Sequence, residues 1–134
     1  ATDIPVILPL HPRTLAALKQ MGGLTLDSSV HTIEPVGFLE MVWLLSNCKL
    51  VVTDSGGLQK EAYFHKKPCV TIRDETEWIE LVNAGCNKLA SPFDDDFMKI
   101  VNELLEKNIS DMPSFYGDGK SARKIIDCIL TFNQ

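Results

Sequence analysis

Ser55-Gly56-Gly57, one residue beyond the β-type run 50–53, is followed four residues later by Glu61. Glycines at 56 and 57 remove the Cβ atoms that keep a ligand away from the backbone. If a helix starts there, its first N–H groups have no partner within it, and its dipole adds roughly half a positive charge at that end. Phosphate oxygens satisfy both needs. Ser55 can add a hydroxyl donor, and the Glu61 carboxylate can accept from the two vicinal hydroxyls of a ribose. A structural reading competes, with Ser55 as N-cap, the glycines as a turn and Glu61 as a solvated helix residue.

Two more joints carry chemistry of the same kind. His11-Pro12-Arg13 ends the first apolar run, and Arg73-Asp74-Glu75-Thr76-Glu77 ends a later one. Arginine forks match phosphate oxygens, and an imidazole adds a donor. Against this, His11 can be a surface residue beside a helix start, and Arg73 can pair with Asp74. Asp74 or Thr76 is expected to cap the helix that follows. Among the other polar clusters, His65-Lys66-Lys67 reads as a helix terminus and Asp94-Asp95-Asp96 as the acidic first turn of a helix. Trp43 and Trp78 read as packing residues. His31, on a short strand, carries no usable signal.

These joints need a scaffold that brings strand ends to one rim. Strands are expected over 5–9, 30–33, 50–53, 68–72 and, more weakly, 87–90. Helices are expected over 12–21, 38–47, 58–65, 76–83, 94–107 and 119–131, with Pro12 in a first turn and Gly22-Gly23 and Gly85 as stops. The 38–47 segment is apolar on most of its positions, which suits a helix covering a sheet. Regular alternation of strand and helix predicts βαβ units. The expected fold class is α/β, a Rossmann-like three-layer αβα domain over residues 1–134 with a mostly parallel sheet. In such sheets ligands bind beyond the carboxyl ends of the strands.

The 134 residues, 45% hydrophobic and 23% charged, suit a single globular domain. A net charge of −5 argues against nucleic acid or an anionic membrane as partner. Cys48, Cys69, Cys86 and Cys128 are widely spaced, with no CxxC pair and no metal-ligand spacing. They read as free thiols of a cytoplasmic protein. No run approaches the ~20 apolar residues that span a bilayer. No leader pattern is read ahead of the domain, and the abrupt opening Ala1-Thr2-Asp3-Ile4 suggests a fragment.

Taken together, the segments resemble the non-hydrolysing UDP-N-acetylglucosamine 2-epimerases. The residues that carry the resemblance are Leu10 to Thr14, Pro35 to Phe38, Thr53 to Ala62, Lys67-Pro68, Arg73 to Glu77, Ala84-Gly85 and Tyr116 to Gly119. The resemblance implies the carboxyl-terminal half of a two-domain architecture of the GT-B type. Ser55, Gly56 and Gly57 would take the diphosphate and Glu61 the ribose. Phe38 and its loop would lie by the uracil, Arg13 and Arg73 on the substrate, and His11 at the catalytic cleft.

The implied reaction inverts C2 of a UDP-sugar by expelling and re-adding UDP, with neither metal nor cofactor. The acid–base carboxylates would come from an amino-terminal domain, so the isolated chain is expected to be inactive, and the full-length protein to be a homodimer. Pro12 stands where many members carry a basic residue, and Trp78-Ile79 where many carry an arginine–proline pair. These departures resemble the branch acting on modified sugars such as 2,3-diacetamido uronic acids. Two other readings remain open: the donor-binding half of a UDP-sugar glycosyltransferase, and a non-catalytic nucleotide-binding module.

Overall fold

The computed structural model describes residues 4–22 and 26–132. Strand and helix alternate as β1 (Val6–Pro9), α1 (Pro12–Gln20), β2 (Val30–Ile33), α2 (Phe38–Asn47), β3 (Val51–Thr53), α3 (Gly56–Phe64), β4 (Cys69–Thr71), α4 (Ile79–Asn83), β5 (Asn87–Leu89), α5 (Phe97–Leu105) and α6 (Ser121–Phe132). The chain forms two compact units divided between Leu44 and Leu45. Each has its own parallel sheet, so the expected strands are all present but fall in two sheets.

In the first unit β1 pairs with β2 from Val6–Val30 to Pro9–Ile33, a βαβ unit closed through α1. In the second the order is β3-β4-β5, with Val51 opposite Cys69 and Cys69 opposite Asn87. Cys69, Val70 and Thr71 of the central strand are all buried, as a parallel strand covered on both faces requires. Val70 joins Ala90, Val101 and Leu104 in one core cluster. Phe97, Ile100, Val101 and Leu104 of α5 follow helical spacing, which turns one stripe toward that cluster. A second cluster packs Leu81, Cys86 and Ile109 against Tyr63, Trp78 and Tyr116.

Helix ends explain most boundary differences. Gly22 ends α1 at φ +90°, and Gly23 lies outside the described residues. After α4, Gly85 at φ +72° donates to Val82 O and Cys86 donates to Leu81 O, a Schellman ending. The same pair of bonds ends α3, from Lys66 to Tyr63 O and from Lys67 to Ala62 O. There the left-handed position belongs to Lys66, at φ +55°.

Three expectations are corrected. The helix expected from residue 76 begins at Ile79, with neither Asp74 nor Thr76 as its N-cap, because the Thr76 hydroxyl instead accepts from Trp78 N–H at 3.1 Å. The helix expected from residue 94 begins at Phe97, because the Asp94 carboxylate accepts from Ser91 N–H and closes a turn. The apolar face of α2 is largely open: Phe38 is 73% exposed and Trp43 64%, with Leu45 buried.

All four cysteines are free. Among the described residues no helix is long and apolar enough to cross a membrane, and no group of three or more His, Cys, Asp or Glu could hold a metal ion.

Burial pushes the Cys69 thiol from 9.0 up to about 12. At pH 8 a soluble thiol reagent should leave Cys69 unmodified in the native protein and label it in urea. The folded state favours the neutral thiol. That contribution is intact below pH 9 and is lost as pH rises toward 12. At the α3 ending, Lys66→Gly should raise stability by about 0.5–1 kcal/mol. It removes left-handed strain from a residue with a Cβ, against some added freedom in the unfolded chain. Thermal unfolding of the variant measures it.

Candidate functional site

The β-branched run Val51-Val52-Thr53 makes β3, and the chain leaves it through Asp54 into an extended Ser55 (φ −81°, ψ 122°). Ser55 N–H donates to Thr53 Oγ1 at 3.0 Å, which fixes the turn. Ser55 Oγ accepts from Leu58 N–H at 3.4 Å, and Ser55 O accepts from Gln59 N–H at 3.2 Å. The N-cap role is therefore real, yet it occupies only a lone pair of Oγ and leaves the hydroxyl proton free to donate. The N–H groups of Gly56 and Gly57 have no acceptor among the described residues. They stand at the positive end of the helix dipole.

The two glycines have different surroundings. A Cβ on Gly56 would run into the Glu77 carboxylate, and Gly56 O accepts from Trp78 Nε1–H at 2.8 Å. A Cβ on Gly57 would meet only Ser55 Oγ, at 3.8 Å. Residues four apart share a helix face, so α3 presents two columns. The Gly56–Lys60 column is closed: the Lys60 ammonium lies 4.5 Å from the Trp78 ring centroid and 4.3 Å from that of Tyr116. The Gly57–Glu61 column carries no such cover. Gly57 is exposed, and the half-buried Glu61 carboxylate has no hydrogen-bond or ion-pair partner among the described residues.

Arg73 joins this corner indirectly. Its Nη1 donates to Glu77 Oε2 at 3.1 Å, and the other oxygen of the same carboxylate lies against Gly56. Arg73 thus pairs with Glu77 and not with Asp74. Both partners are substantially exposed, so the pair contributes at most about 1 kcal/mol, and Arg73 can be recruited by a stronger anion.

A buried polar chain holds the 72–78 loop in place. Thr71 Oγ1 donates to Asn87 Oδ1 at 2.8 Å, Asn87 Nδ2 to Gln59 Oε1 at 3.0 Å, and Thr76 Oγ1 to the same Gln59 oxygen at 2.6 Å. Gln59 and Asn87 are each 1% exposed. Burial and the adjacent Glu80 carboxylate push the Tyr116 phenol up, so Tyr116 meets Lys60 as a neutral ring. Thr71 and Asn87 escaped the sequence reading, and Gln59, Lys60 and Tyr116 entered it only within the segments that carry the resemblance, because nothing in their spacing marks them as partners.

In the first unit His11 sits between β1 and α1 in an extended conformation (φ −62°, ψ 142°). Its Nδ1 accepts from Arg13 N–H at 3.2 Å, so it caps α1, and in the neutral ring the proton is on Nε2. That N–H and the exposed Arg13 side chain are available to an anion. Phe38 opens α2 with its ring in solvent. Ser55, Gly56, Gly57 and Glu61 share one helix mouth and Arg73 reaches it through Glu77, whereas His11, Arg13 and Phe38 belong to the other unit.

Parallel βαβ units define a Rossmann-like α/β protein, and its glycine turn carries two helix-mouth amides that, among the described residues, have no acceptor. The sequence profile of the family described as UDP-N-acetylglucosamine 2-epimerase matches residues 1–130, and the chain belongs to that family. The UDP-2,3-diacetamido-2,3-dideoxy-D-glucuronate 2-epimerase of Pseudomonas aeruginosa is 48% identical over 92% of this chain and 34% of its own length. The UDP-N-acetylglucosamine 2-epimerase of Methanocaldococcus jannaschii is 38% identical over 98% of this chain and 36% of its own. A crystal structure of the Methanocaldococcus jannaschii enzyme in complex with UDP-GlcNAc and UDP superposes with a TM-score of 0.84 at 39% identity. That match covers 97% of this chain and 36% of the other. The chain therefore spans about a third of the length of the curated relatives it matches.

The surroundings of the two glycines are testable without a ligand. Gly56→Ala should stay within about 1 kcal/mol of wild type, because the exposed Glu77 carboxylate must swing away and its pair with Arg73 is weak. Gly57→Ala should be neutral or stabilising by up to about 1 kcal/mol, as alanine is the better helix residue. Chemical denaturation of both variants compares the two.

Proposed function

We propose that this chain is the UDP-holding part of a UDP-sugar 2-epimerase. The observation that carries the reading is Gly57. Its φ is not positive and a Cβ there would make only an ordinary van der Waals contact, with Ser55 Oγ, so folding does not call for glycine. Backbone approach by a phosphate does. In this reading the Gly56 and Gly57 amides and the Ser55 hydroxyl bind the diphosphate, and Glu61, on the open face below, accepts from the ribose hydroxyls. Arg73 exchanges Glu77 for a phosphate oxygen. His11, Arg13 and Phe38, all in the first unit, are the residues of that unit that the family resemblance assigns to the nucleotide-sugar.

Epimerisation then runs as elimination and re-addition. A base takes the C2 proton and the C1–O bond breaks. Its electron pair leaves on the diphosphate, and the C1–C2 double bond of a 2-acetamidoglucal forms. Returning the proton to the opposite face of C2, and UDP to C1 on its original face, inverts C2. The contribution of this chain is charge stabilisation of the departing UDP by preorganised amides and cations. The acid–base carboxylates lie in the remainder of the protein. The exposed stripe Ile125, Ile126, Ile129 and Leu130 on α6 supports further polypeptide covering this piece. The chain alone is inactive, and the full-length protein works as a cytoplasmic homodimer. Identity of 48% to an epimerase of a diacetamido uronate, together with Trp78, supports a modified UDP-sugar as substrate.

Calorimetric titration of the full-length protein with UDP, UMP and ADP tests the reading. UDP should bind in preference to the other two. Glu61→Ala should weaken UDP binding by about 1.5–3 kcal/mol, the worth of a hydrogen bond to a charged group. Equal affinity for UDP and ADP, or an unchanged Glu61→Ala variant, would remove the assignment.

A further inference from the structure

We infer that Trp78 is a positioning residue for the leaving diphosphate, acting through the peptide plane between Gly56 and Gly57. The inference rests on the UDP reading above and adds to it a residue that need touch no substrate. A peptide unit is planar and trans, so the Gly56 carbonyl and the Gly57 N–H are rigidly opposed. Trp78 Nε1–H donates to that carbonyl at 2.8 Å, in addition to the ladder bond a helical carbonyl accepts. Holding the oxygen on one side therefore sets the aim of the N–H on the other. A carbonyl that accepts a further hydrogen bond also makes the N–H across the plane a stronger donor.

Trp78 is itself held from several directions. Its backbone N–H donates to Thr76 Oγ1, and Thr76 is tied to Gln59 of the same helix. Its ring meets Tyr116 edge-on, with centroids 5.7 Å apart at 81°. The Lys60 ammonium lies over it at 4.5 Å and draws electron density from the indole, which sharpens the Nε1–H as a donor. Lys60 is one helical turn below Gly56, so the clamp and the carbonyl it serves share a column of α3. Packing alone would be met by phenylalanine. The indole N–H is spent on a carbonyl whose plane carries, among the described residues, an unpaired amide at the mouth.

Trp78→Phe in the full-length protein, labelled with 15N-glycine, separates positioning from packing. We expect the Gly57 amide resonance to move in the absence of any nucleotide. UDP affinity should fall about fivefold to twentyfold while uridine, which has no phosphate, binds as before. For the epimerisation, kcat should fall more than KM rises, because the amide is aimed at charge that develops as UDP departs. UDP binding that Trp78→Phe leaves intact, or an equal loss for UDP and uridine, would overturn the inference and leave the UDP reading standing. A wild-type protein that binds no UDP would sink the UDP reading and this inference with it. If Trp78→Phe loses its cooperative thermal transition, benzothienylalanine at position 78 repeats the test, with sulfur in place of the N–H and the ring size kept.

Discussion

Among the described residues, two backbone N–H groups at the mouth of α3 have no acceptor, and the surrounding structure is arranged to hold them in one orientation. Unpaired amides are tolerable only where water or a ligand reaches them. The turn meets this by closing one helical column and leaving the next open. Glu77 and Trp78 press on Gly56, Lys60 and Tyr116 close the column beneath it, and Gly57 and Glu61 face outward. The exposure that keeps the amides hydrated is the same exposure that admits an anion.

The closed column depends on a loop with no regular structure. Residues 72–78 are held chiefly by polar contacts: Thr76 on Gln59, Gln59 on Asn87, Asn87 on Thr71. Such a network in a buried setting is unforgiving, since loss of one member strands its neighbours without partners. It ties α3, β4 and β5 to the loop that carries Arg73, Glu77 and Trp78. Core packing and site geometry are therefore parts of one construction in the second unit, where the cluster of Leu81, Cys86 and Ile109 receives Trp78 and Tyr116.

Other surfaces are apolar without being packed. Val6, Ile7 and Leu8 on β1, Phe38 and Leu39 on α2, and the stripe on α6 all keep substantial solvent contact. The dense apolar pattern of 38–47 was sound evidence for a helix and poor evidence for what that helix would face. Periodicity reports which residues share a side, whereas burial depends on a covering partner that the pattern does not contain. The same limit applies to the chain's share of its relatives' length, about a third.

The order of strands and helices, their parallel pairing and the helix mouth after β3 were legible in the residues themselves. Each rests on local rules: β-branched runs, helical spacing, and serine and glycine at a helix start. The left-handed ending at Gly85 was legible for the same reason, while that at Lys66 was not, because a lysine advertises no left-handed backbone. The two corrected helix starts, at Ile79 and Phe97, lay with side chains that have alternative hydrogen-bond partners. Thr76 and Asp94 can cap a helix or close a turn, and the sequence alone does not weigh the two. Only the tertiary structure decided that Arg73 pairs with Glu77, and that Gly56 is enclosed while Gly57 is open. That distinction is made by an indole arriving from 22 residues further along the chain. A contact so distant is fixed by how strand, loop and helix pack together, which no local pattern encodes.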